Sequence, residues 1–162
     1  MVLEPEASMA AEADQKTLVI TRMFDAPPAL VFQAWTDRAH VLNWLGPRDY
    51  PVVSFEHDFR IGGAWRGCLH SLDGSRTLWQ GGVYREIEAP TRLAYTFAWD
   101  DSPQTLITVD FLAHDGKTRM IFTQTPFETT ERREGHRTGW NSSFDRLQDL
   151  VRTQARTETG AS

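Results

Sequence analysis

The chain reads as an α+β domain in which a curved antiparallel sheet of about seven strands wraps around one long C-terminal helix. Three observations lead there. Between residues 51 and 125, β-rich runs alternate with hairpin-type turns. The run FEHDFRIGGAWRGCLH, residues 55–70, places two strands either side of Gly62-Gly63, where the backbone can bend sharply. The last stretch carries Trp140, Phe144, Leu147 and Val151, the spacing of a helix that lays one apolar face on a sheet.

The elements follow in order. The first sixteen residues are rich in Ala and Glu without a periodic apolar face, and are expected to form a disordered tail. TLVITRMFD, 17–25, is a β-branched strand, ended by Ala26-Pro27-Pro28. Proline suits a first helical turn, so a helix is expected over 28–36. Asp37 is placed to cap a second short helix through Val41, Leu42, Trp44 and Leu45, stopped by Gly46-Pro47. Strands are expected near 51–61, 63–72, 76–88, 92–99, 104–114 and 117–125. Leu72-Asp73-Gly74-Ser75 and His114-Asp115-Gly116-Lys117 mark two of the turns. In the first strand Val53, Phe55, His57, Phe59 and Ile61 alternate with polar residues, which puts them on the covered face. The terminal helix is expected over about 130–154, roughly 35 Å long. A single domain thus spans 17–154, followed by a polar tail over 155–162. Gly135 and Gly139 lie inside the helix at a cost of about 1 kcal/mol each relative to alanine. Glycines there fit a helix that passes close to something or leaves room for it.

Composition narrows the function. With 40% apolar and 24% charged residues, the protein falls in the ordinary globular class. The net charge of −5 and the lack of a basic stripe argue against nucleic acid, since Arg132, Arg133 and Arg137 are diluted by Glu131 and Glu134. A lone Cys68 allows no intrachain disulfide and no multi-thiolate metal site. No apolar run approaches the ~20 residues of a membrane helix, and the start lacks a signal-peptide pattern, so a cytoplasmic location is expected. No H-E-x-x-H, G-x-S-x-G or phosphate-loop motif occurs, and Gly62-Gly63 and Gly81-Gly82 precede no helix; no metal or cofactor is expected.

Six Trp, nine Phe and three Tyr either fill the core or line a ligand site. By strand parity and helix stripe, the expected lining is Trp44, Phe55, His57, Trp65, Trp79, Val83, Tyr95, Phe97, Trp140 and Phe144. His57 is read first as a core-edge histidine satisfied by a neighbour, and second as a ligand contact or general base. His136, four residues before Trp140, reads as a partly exposed helix histidine or a residue at the cavity mouth. Arg66 is expected on the solvent face in an ion pair. His40 and His114 have no partner at metal-ligand spacing.

The chain resembles a known family. The segments RMFDAPPALVFQAWTD (22–37), WLGP (44–47), DFRIGGAWRG (58–67), GGVYREIEAPTRLAYTF (81–97) and Gly139-Trp140 are similar, in order and spacing, to the SRPBCC superfamily (START/Bet v-like). Within it they resemble the branch named after the activator homologue of the heat-shock-protein-90 ATPase. The resemblance runs from Thr17 to Val151 and implies the helix-grip fold with an internal cavity. It implies three functions: binding of a small hydrophobic or aromatic ligand, a chaperone-activator-like interaction module, or a polyketide cyclase/dehydratase-like enzyme, for which the reading of the residues offers His57 as acid/base. No catalytic signature defines the family, so the leading expectation is non-enzymatic binding. The chain shows no extra N-terminal domain of the kind eukaryotic activators use, which weighs against the chaperone role. An exposed edge strand leaves a homodimer open.

Overall fold

The computed structural model describes residues 15–160. β1 (Leu18–Phe24) leads into α1 (Pro28–Thr36) and the short α2 (Arg38–Val41). Six strands follow: β2 (Val52–His57), β3 (Ala64–His70), β4 (Thr77–Glu88), β5 (Arg92–Trp99), β6 (Thr105–His114) and β7 (Lys117–Thr125). The chain closes with α3 (Thr130–Gly160). The sheet order is β1-β7-β6-β5-β4-β3-β2, every pair antiparallel. Successive hairpins thus run from β2 to β7, and β1 returns to pair with the last of them. This is the expected α+β helix-grip architecture.

Local chemistry explains the elements. Pro28 opens α1, which buries Val31, Phe32, Ala34 and Trp35. The Asp37 carboxylate accepts a hydrogen bond from the Ala39 N–H at 2.9 Å and caps α2 as expected. That helix stops at Val41, short of the predicted Leu45, and the chain continues in turns. The core lies between the concave face of the sheet, α1 and α3. Trp35 stands at its centre, its ring 4.8 Å from Trp44, 5.9 Å from Phe144 and 6.3 Å from both Trp140 and Phe122.

The sheet differs from expectation in its first strand. Pairing of β2 with β3 shifts register between Val52 and Ser54, so Val52 is buried while Val53 points to solvent. The strand also ends at His57 rather than 61. Asp58 N–H donates to Ala64 O and Gly63 N–H to Arg60 O, closing a tight loop in place of further ladder. Phe59 and Ile61, expected on the covered face, are therefore exposed. A Cβ on Gly63 would sit 1.9 Å from Asp58 O, so only glycine closes this corner.

A second glycine pair, Gly81-Gly82, lies where β4 passes close to β5. A Cβ on Gly82 would lie 1.8 Å from Thr96 O. The Thr96 hydroxyl also accepts the Val83 N–H at 2.8 Å, replacing a ladder bond with a side-chain bond. Beyond this close approach of β4 to β5 the pairing resumes at Tyr84 and Tyr95, with a register shift between Tyr84 and Glu86. The terminal helix runs to Gly160 instead of 154. Gln154, Ala155 and Arg156 are good helix formers, and no stop signal intervenes, so the segment expected as a polar tail continues the helix. Apart from Gln15 and Lys16, the tail expected over residues 1–16 lies outside the described residues.

Candidate functional site

Between the curled strands and α3 lies an open cleft of about 180 Å³. Its sheet wall is Leu69, Leu78, Gln80, Phe97 and Trp99, and its helix wall is Gly135, His136, Gly139, Trp140 and Ser143. Leu45, Gly46, Pro47 and Tyr50 form the third side. A deeper chamber of about 30 Å³ shares Leu45, Gln80 and Trp140 with it and reaches in to Trp35, Tyr84 and Tyr95.

The helix wall is open because of its glycines. A Cβ built on Gly135 or on Gly139 meets nothing within 4 Å. Of the two readings that interior glycines allow, this is the one that leaves room. The loop wall is pinned from behind by Arg146, whose guanidinium donates to the carbonyls of Leu45 (3.2 Å), Gly46 (2.8 Å) and Asn43 (3.1 Å). The Arg48 N–H donates to Ser142 Oγ at 2.9 Å beside it. The Trp140 indole is held by a buried chain of bonds. Its N–H donates to Gln124 Oε1 (2.9 Å), Gln124 Nε2 donates to Thr105 Oγ1 (2.9 Å), and that hydroxyl donates to Phe97 O (3.1 Å).

The expected lining residues divide into three groups. Trp44, Phe55, Trp65 and Tyr95 border the inner chamber, Phe97 the outer cleft, and Trp140 both. Phe144 and His57 border neither. Phe144 is fully buried against Trp35, Phe122 and Trp140. The third group is a correction. On β4 the inward residues are Leu78, Gln80 and Tyr84, so Trp79 and Val83 have the opposite parity. Trp79 is 40% exposed and lies under the Arg66 guanidinium, 4.7 Å from it, while Arg66 makes a two-pronged ion pair with Asp100. Both faces of β4 carry apolar residues, so alternation alone favoured the larger ring and selected the wrong face. Trp99 was missed although it continues the parity of Tyr95 and Phe97. Tyr50 and Leu45 lie on a loop that has no periodic signal.

Burial shifts the titratable side chains in and beside the two cavities toward their neutral forms. His136 lines the outer cleft, and burial pulls its pKa down to about 4, with Arg132 adding to the effect. The Trp99 indole N–H donates to His136 Nε2 at 3.3 Å, which leaves the ring proton on Nδ1. Burial raises the Tyr84 hydroxyl, and raises Tyr95 well above its ordinary value. His57 lies 2.7 Å from the Tyr84 hydroxyl through Nδ1, and burial lowers its pKa. It is thus a core-edge histidine satisfied by a neighbour. Among the described residues, no Asp, Glu, Lys, Arg or Cys lines the cleft or the inner chamber. No group of three or more metal-ligating side chains occurs among the described residues, and no described helix is long and apolar enough to cross a membrane.

With this geometry in place, comparison with known proteins identifies the family. Residues 25–152 match the family of Activator of Hsp90 ATPase homolog 1-like proteins. The chain belongs to that family. No functionally curated protein matches it. Among solved structures, a Chromobacterium violaceum protein is 27% identical with a TM-score of 0.77, covering 84% of this chain and 96% of the other. An uncharacterised Rhizobium leguminosarum protein is also 27% identical, with a TM-score of 0.70, covering 85% of this chain and 94% of the other. The AHSA1 protein of Silicibacter pomeroyi shares the fold at 23% identity and a TM-score of 0.75, covering 85% and 99%. The Activator of Hsp90 ATPase homolog 1-like match covers all three walls of the cleft.

Proposed function

We propose that this protein binds a small, largely apolar molecule in the cleft between sheet and α3, without transforming it. One observation carries the reading: a nearly all-apolar cleft of about 180 Å³ is kept open by two glycines that weaken the helix containing them. An apolar cavity of about 150 Å³ suffices for benzene, so the space suits a ligand of one ring or a compact second ring. Binding is favoured over catalysis because the walls carry no charged acid/base pair and His57 is engaged with Tyr84.

Native mass spectrometry of gently purified protein, with thermal-shift titration of small aromatic and aliphatic probes, tests the proposal. A stoichiometric passenger, or a saturable shift abolished by filling the cleft at Gly139, supports it. An empty protein indifferent to every probe overturns it and moves the weight to the protein-interaction role that the family name suggests.

A further inference from the structure

The protein buries two glutamines on the concave side of the sheet, and they are treated very differently. Gln124 is fully buried, and both ends of its amide are occupied, by Trp140 and by Thr105. Gln80 is 3% exposed, yet its carboxamide makes no hydrogen bond with any described residue. It borders both the outer cleft and the inner chamber, at the junction between them. A carboxamide offers two donors and an acceptor, and neither amide atom is among the sealed, unpaired polar atoms of the described residues, so both stay open to a partner in the cleft. The indole N–H of Trp35, in the wall of the inner chamber, is a buried donor without a partner among the described residues.

Resting on the binding reading above, we infer that Gln80 is the polar anchor of the cleft and that the ligand is an uncharged, compact aromatic molecule with a single hydrogen-bonding group. The aromatic body lies against Phe97, Trp99 and Trp140, and its polar group meets Gln80. The volume sets the size, and the position of Gln80 sets where the polar group goes. The ligand's neutrality follows from the walls: a carboxylate or ammonium would lose its hydration and find no countercharge there.

Calorimetric titration with toluene, phenol and benzoate, on the wild type and on Gln80→Met, tests this. Methionine conserves the approximate volume and removes both donors and the acceptor. Phenol is expected to bind the wild type about tenfold more tightly than toluene, the worth of one well-made hydrogen bond. In Gln80→Met the two affinities converge through loss of phenol binding alone, and benzoate is weakest throughout. Retained toluene binding shows that the variant is folded with its cleft intact. Three results overturn the inference while leaving the cleft a binding site: equal affinities in the wild type, a phenol preference that survives Gln80→Met, or benzoate binding tightest. Equal wild-type affinities would assign the Gln80 amide to a trapped water. Failure of all three probes to bind the wild type overturns the binding reading itself, and the inference with it.

Discussion

Gly139 is the position where cleft and helix make opposite demands, and substituting it separates them. It lies well inside α3, with a backbone outside the left-handed region and with space where a Cβ would stand. Alanine there meets no clash and gains helix propensity, so Gly139→Ala is expected to stabilise the protein by about 0.5–1 kcal/mol. For a chain of this size that raises Tm by about 1–4 °C. Gly139→Leu places four carbons in the cleft, most of what a six-carbon ring requires, and buries them against Phe97 and Trp140. The fold is expected to be at least as stable as the wild type, while probe binding is lost. The assay is thermal and urea denaturation with and without toluene. At a hundred times Kd a bound ligand adds about 2.7 kcal/mol, roughly 5–10 °C in Tm, to the wild type, and nothing to Gly139→Leu. A lower Tm for Gly139→Ala would show that the helix is packed closely at this point. A toluene shift that persists in Gly139→Leu would place the ligand elsewhere. Either result refutes the reasoning.

Further expectations follow from other parts of the structure. Gly82→Ala drives a Cβ into the Thr96 carbonyl and should cost about 3 kcal/mol or more in urea denaturation, the largest effect of any glycine-to-alanine change in the sheet interior. Gln124→Met removes the acceptor of the buried Trp140 indole and should cost about 1–3 kcal/mol in urea denaturation. The pH dependence of stability reports on His136. Its pKa is about 4 in the fold against 6.5 ordinarily, so as pH falls the unfolded chain takes up the proton first. The contribution is therefore complete above pH 6.5 and is lost progressively down to pH 4, about 3 kcal/mol in all. His136→Phe should flatten the stability profile by that amount across this window, and an unchanged slope would exclude the assignment.

Much of this was legible in the residues, and the misses have physical causes. Turn chemistry at Leu72–Ser75 and His114–Lys117 located two hairpins, because such turns depend on local backbone preference. The helix stripe from Trp140 to Val151 declared its own buried face. Parity failed on β2, where a register shift at Val53 moved side chains between faces, and on β4, where both faces carry apolar residues. Side-chain alternation states that two faces exist. Only pairing with neighbouring strands and contact with the helix decide which one is covered. Reading Trp79 and Val83 as inward puts Gln80 on the opposite face, and nothing in its sequence context marks it as buried.

The order of strands and helices and the bends at the glycine pairs are properties of short segments. The sequence by itself therefore determined them. The open cleft, the unpartnered Gln80 amide and the neutral His136 arise where β4, β5, α3 and the loop after α2 meet, from residues far apart along the chain. Only the tertiary structure decided these, because burial, distance and local dielectric belong to the assembled surfaces and to no single segment.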